Sequence, residues 1–156
     1  MITRMMLILA LMLQGLAVAG PAAARSDPPP PADYYVFQKV VYQNSGGTPD
    51  DRTYFLRLLR NVGAHVTATG GNVEIRVVSF AGGVKAFQMA RTDPELAQAI
   101  DAARAKHVRF LICRNTLRAM NITAADLYDV SEADVVPSGV AELARLQGLG
   151  FVYIHP

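Results

Sequence analysis

The chemistry this chain could perform has one natural focus, because among its 156 residues there is a single cysteine, Cys113. A lone thiol cannot close an internal disulfide, which leaves a buried apolar filler, a point of pairing between chains, or a reactive group. Val108-Arg109-Phe110-Leu111-Ile112 before it reads as a strand, and Asn115-Thr116-Leu117-Arg118-Ala119-Met120 after it reads as a helix. A thiol at a helix N-terminus meets unpaired N–H groups and the positive end of the helix dipole. That favours the thiolate by roughly 0.3 to 2 kcal/mol, up to about one and a half pKa units. Arg114 and Arg118 either add attraction or point into solvent. His65, His107 and His155 fall at helix ends or beside the terminus, none of them next to Cys113 in sequence, so a Cys-His hydrolase is not expected. Neither a metal nor a cofactor is expected.

Positioning that thiol requires the flanking elements to repeat, and they do. Val36-Phe37 and Lys39-Val40-Val41-Tyr42 form a β-rich stretch ending at the turn formers Asn44-Ser45-Gly46-Gly47. Thr48 then stands where an N-cap would, with Pro49 at the first helical position and Asp50 and Asp51 near the helix dipole. Phe55, Leu58, Leu59, Val62 and Val66 give the apolar stripe of a helix that closes before Gly70-Gly71. Val73 to Val78 is a second strand and Val84 to Ala90 a brief helix. Thr92-Asp93-Pro94-Glu95 starts another helix, with Leu96, Ala99, Ile100 and Ala103 facing inward. After the Cys113 junction, Asn121 suits a left-handed helix end, and Thr123 with Asp126 resembles a capping box. Asp134-Val135-Val136-Pro137 reads as a late strand, Ser138-Gly139 opens a helix through Leu146, and Phe151 to Ile154 is a last strand.

Strand and helix alternating at this spacing predict βαβ units: an α/β, three-layer α/β/α sandwich with a mostly parallel sheet, layered as in flavodoxin-like folds. In such a sheet the loops after the strands share one rim, where ligands bind. That rule gathers Cys113 with candidate binding residues Asn44, Ser45, Gly82, Gly83, Arg114, Asn115, Thr116, Ser138 and Gly139.

At the N-terminus, Arg4 precedes an uncharged, largely apolar run from Met5 to Gly20, and Ala22-Ala23-Ala24 offers small residues for cleavage. The run is short for a membrane span and is followed by charge and proline, so residues 1–24 read as a secretory signal peptide. Residues 25–33 read as a proline-rich tether and 34–156 as one domain. A periplasmic or secreted protein is expected, without stable membrane insertion after cleavage. The 15 basic residues balance 13 acidic ones and cluster nowhere, which argues against nucleic acid as a partner.

The segment Val108 to Leu117 resembles the DsrE/DsrF family of small sulfur-handling proteins, in its branch of DsrE-like proteins. Lys39 to Tyr42, Val73 to Val78, Asp134-Val135-Val136-Pro137-Ser138-Gly139-Val140-Ala141-Glu142 and Phe151 to Ile154 share in the resemblance. It implies a DsrE-like α/β/α domain, a homo-oligomer that is often trimeric, and, in the family's sulfur-relay members, a cysteine carrying sulfur as a persulfide. Cys113 matches that cysteine. Phe80-Ala81 stands where many relatives in this branch have a His-Gly pair, and the relay members act in the cytoplasm, unlike an exported chain. The function implied is a periplasmic sulfur-binding or sulfurtransferase-like carrier, working with a donor or acceptor protein or a small thiol. The alternative is a non-enzymatic ligand-binding or assembly module in which Cys113 is only packed.

Overall fold

In the computed structural model, which describes residue 31 and residues 34–156, five strands alternate with five helices. The leader at 1–24 and most of the tether at 25–33 lie outside the described residues. Strands β1 (Gln38–Asn44), β2 (Val73–Ser79), β3 (Arg109–Cys113), β4 (Val135–Val136) and β5 (Val152–Ile154) form one parallel sheet in the order β4-β3-β2-β1-β5. Helices α1 (Asp51–Ala68), α2 (Gly82–Met89), α3 (Pro94–Arg104), α4 (Arg114–Met120) and α5 (Gly139–Gly148) make the connections.

Period-2 alternation divides the strands between two cores. Val40, Tyr42, Ile75, Val77, Phe110 and Ile112 pack with α1, α2 and α3, where Phe110 meets Phe55 and Phe87 edge to face and Phe55 lies tilted against Phe87, with ring centroids 5.2 to 6.3 Å apart. Val41, Val78 and Leu111 turn to the other face and meet Leu143 and Leu146 of α5, with Phe151 closing the end. The chain steps outward from β1 to β4, then returns so that β5 pairs with the far side of β1. One helix makes that return, so the second outer layer is α5 alone.

The starts of α1, α3 and α5 follow side-chain capping chemistry, with one correction to the residue that caps α1. Asp93 caps α3 as its sequence suggests, accepting from the N–H groups of Glu95 and Leu96 with Pro94 in the first turn. Helix α1, however, is capped by Asp50, whose carboxylate accepts from Thr53 N at 2.8 Å, and begins two residues later than a Thr48 cap would place it. Both residues can cap; only Asp50 lies at the spacing from which its oxygen reaches the free N–H groups. Residues Ala124–Asp126 and Glu132–Asp134 form 3-10 turns, each closed by a capping box, from Thr123 and Ser131. The second of these turns shortens the late strand to Val135–Val136. Asn121 does adopt the left-handed conformation, φ 53°.

Candidate thiol site at the strand ends

Cys113 is the last residue of β3 and the N-cap of α4, so the strand fixes its height and the helix its surroundings. Val78 and Leu111 point to the α5 face, and by alternation so does Cys113, which brings it against the first turn of α5. Gly139 is the first residue of that helix. A Cβ there would lie 3.2 Å from Cys113 Cβ and 2.9 Å from the Phe80 ring, so glycine is what lets the two elements approach. Ser138 caps α5 through the N–H of Ala141, leaving the Gly139 N–H to face the sulfur.

Burial alone would push the Cys113 thiol up, since the residue is only 5 % exposed. The opposite wins. The N–H of Gly139, the hydroxyl and N–H of Thr116 and the N–H of Asn115 converge on the sulfur and hold its pKa below the ordinary thiol value. None of the α4 groups makes a short capping bond, so they act as aligned dipoles. The Thr116 hydroxyl is itself oriented, because its oxygen accepts from Ala81 N at 2.9 Å. Ala81 sits at φ 47°, an uncommon conformation for a residue with a side chain, in the loop after β2.

The rim thus gathers some expected residues and separates others. Cys113, Asn115, Thr116 and Gly139 form one cluster at the ends of β3 and β4. Asn44 belongs to a second, beside it at β1 and β2: fully buried, it donates through Nδ2 to Ser79 Oγ at 3.0 Å and to Gly83 O at 3.1 Å, while its Oδ1 has no partner among the described residues. Gly82 and Gly83 are the opening turn of α2 rather than loop, and Gly83 packs directly on the Asn44 backbone. Ser45 accepts a hydrogen bond from Gln43. Arg114 turns to Glu132, at 2.6 Å, and neither it nor Arg118 figures among the causes of the shifted thiol. His65 is tied to Tyr42 and Gln38, and its pKa is lowered by burial.

Phe80 and Ala81 take part in the site although neither is among the candidate binding residues named from the sequence. The run Phe80-Ala81-Gly82-Gly83 carried a signal for them, since two glycines after a strand mark a close backbone approach. Among the described residues no cluster of three or more metal-ligating side chains occurs. A cavity of about 800 Å³ lies between α1 and α3 along small residues such as Gly63, Ala99 and Ala102, away from Cys113.

A parallel α/β/α sheet with a thiol at the end of a central strand, facing three backbone N–H groups and a hydroxyl, defines a small protein built around one perturbed cysteine. The chain belongs to the DsrE/DsrF-like family, which matches it over residues 38–156. Among solved structures, it is similar to a protein of unknown function from Methanobacterium thermoautotrophicum. That similarity is 33 % identity over 76 % of this chain and 99 % of the other, with a TM-score of 0.65. The YchN protein of E. coli shares the fold at 17 % identity and a TM-score of 0.56, over 78 % of this chain and 100 % of its own. No curated protein matches the sequence.

Proposed function

We propose that the protein binds and carries sulfane sulfur on Cys113. The observation that supports this reading is the convergence of the Asn115, Thr116 and Gly139 N–H groups and the Thr116 hydroxyl on a thiol whose pKa they lower against its burial. In the proposed step the Cys113 thiolate attacks the outer sulfur of a donor persulfide, R–S–SH. The donor S–S bond breaks, R–S⁻ leaves, and Cys113–S–SH forms. An acceptor thiolate then attacks the outer sulfur, forming its own persulfide and returning the Cys113 thiolate. No net oxidation occurs. The converging donors favour the charged form at both ends of the cycle.

The 5 % exposure of Cys113 is the observation that favours the second reading, a binding or assembly module in which the thiol is only packed. Intact mass spectrometry separates the two. The protein and its Cys113→Ser variant are incubated with polysulfide and then with a thiol acceptor. Increments of single sulfur atoms on the wild type alone, removed by the acceptor, support carriage; a folded wild type that gains none leaves the module reading in place.

Export to the periplasm and assembly into a homo-oligomer, a trimer on the family's precedent, complete the proposal. Assembly draws support from apolar side chains left in solvent, among them Val36, Phe37, Val140 and Val152, each more than half exposed. N-terminal sequencing of a periplasmic extract tests the first, where an intact Met1 in a soluble cytoplasmic pool refutes it. Light scattering at micromolar concentration tests the second, where a clean monomer refutes it.

A further inference from the structure

The sheet face that α5 leaves uncovered carries charge where a covered parallel sheet carries aliphatic side chains. Lys39 of β1, Glu74 and Arg76 of β2 and Arg109 of β3 occupy alternate positions in register with Val41, Val78 and Leu111. Together with Glu142 and Arg145 of α5 they line a cavity of about 430 Å³ toward the strand starts, away from the rim. Phe151 forms part of its wall, with Lys39 Nζ 5.5 Å and Arg76 Cζ 5.9 Å from the ring centroid.

The charges in this cavity do not balance. Arg145 grips Glu142 through two hydrogen bonds of 2.6 and 2.8 Å, and Arg76 pairs with Glu74 at 2.5 Å. Lys39 and Arg109 form no ion pair among the described residues, so two positive charges are in excess. Arg76 is the most enclosed of the four cations. Its burial, with the neighbouring Arg109 and Arg145, holds its pKa below the ordinary arginine value despite Glu74. A concave cluster that repels itself in this way is relieved by an anion.

We propose that this cavity binds a small tetrahedral dianion, of the sulfate, thiosulfate or hydrogenphosphate class. The excess of two charges sets the valence, and guanidinium forks match the oxygen spacing of such ions. The existing carboxylates stay neutralised by their own arginines. Arg109 lies four residues before Cys113 on β3, about 13 Å along the strand, with Leu111 between them, so the ion does not touch the thiol. The site therefore stands whether or not Cys113 carries sulfur.

Isothermal titration calorimetry of the mature protein with sodium sulfate, at constant ionic strength, tests the assignment. Saturable binding of one ion per chain is expected, with chloride weaker. Lys39→Gln and Arg109→Gln should each weaken sulfate binding by roughly tenfold, while Arg118→Gln, on the exposed side of α4, should leave it unchanged. Both cavity variants sit at exposed positions, and circular dichroism with urea midpoints checks that they stay folded. Heat that fails to saturate, an equal response to chloride, or binding indifferent to both variants overturns the proposal. So does co-sedimentation with anionic phospholipid vesicles that depends on Lys39 when free sulfate does not bind, which would assign the cluster to a membrane surface. A change in molecular mass on Arg109→Gln, again without sulfate binding, would assign it to contact between copies.

Discussion

Replacing Thr116 by valine tests the thiol site with little change of shape. The hydroxyl lost is one of four donors that offset the burial of Cys113, and the only one from a side chain. A hydrogen bond to a charged group contributes about 1.5 to 3 kcal/mol. Because the donors around Cys113 do not form short capping bonds, the lower end applies. At 1.36 kcal/mol per unit, the thiol pKa should rise by about one unit. Alkylation by iodoacetamide, followed against pH, reads this directly through its midpoint. Below both midpoints the thiolate fraction falls about tenfold, but a more basic thiolate is also more nucleophilic, with a Brønsted slope near 0.4 to 0.5. The observed rate should therefore drop only about three- to fourfold. Thr116→Ser, which restores the hydroxyl, should bring the midpoint back. The variant also deprives Ala81 N of its acceptor, but Ala81 is exposed and water can replace the bond. An unchanged midpoint in folded Thr116→Val, or a serine variant that behaves like valine, refutes the assignment of the hydroxyl.

Gly139→Ala should separate α5 from β3, because its methyl group meets Phe80 and Cys113 inside normal contact distance; we expect a loss of about 1 to 3 kcal/mol in urea unfolding and a raised thiol midpoint, and no change in either would remove the close approach from the argument. The depressed thiol pKa also makes stability depend on pH, with its contribution fully present above the ordinary thiol value and lost as pH falls through the lower folded one. The stability difference between wild type and Cys113→Ser should therefore shift in favour of the wild type as pH rises through that window, and a flat difference would mean that folding does not perturb the thiol. Phe55→Ala empties the centre of the aromatic cluster under α1, and should reduce stability by about 3 to 5 kcal/mol in the same unfolding assay; a loss below about 1 kcal/mol would contradict its place in the core.

The parts of the fold that sequence made legible are those fixed by period and by local capping. The stripe from Phe55 to Val62, the Asp93-Pro94 start and the left-handed Asn121 all depend on residues within a few positions of one another. Cys113 was legible for the same reason, since a strand of aliphatic residues ends and a helix begins at it. What sequence could not supply was the partner across space. The Gly139 N–H and the Thr116 hydroxyl act on the sulfur only because the sheet order sets β4 beside β3 and the β2 loop beside α4. Arg114 shows the converse: adjacent to the thiol in sequence, it is drawn away by Glu132, eighteen positions on. The unequal layers left a trace that was present but unread, because Lys39, Glu74, Arg76 and Arg109 place charge on alternate strand positions that a fully covered sheet would fill with aliphatic residues.

The place of β5 in the sheet bears on when the fold can form. Val40 lies beside Val152, roughly 110 residues later, so one side of the first strand waits for the last segment to be synthesised. Until then Val41 and Val78 also lack α5, and the smaller of the two cores has nothing to pack against. The larger core, from Val40 to Leu127, is complete in sequence before α5, so the α5 face and the outer side of β1 are the parts that close last. The pairing that completes β1 is thus the last one open to a nascent chain, and it follows synthesis rather than accompanying it.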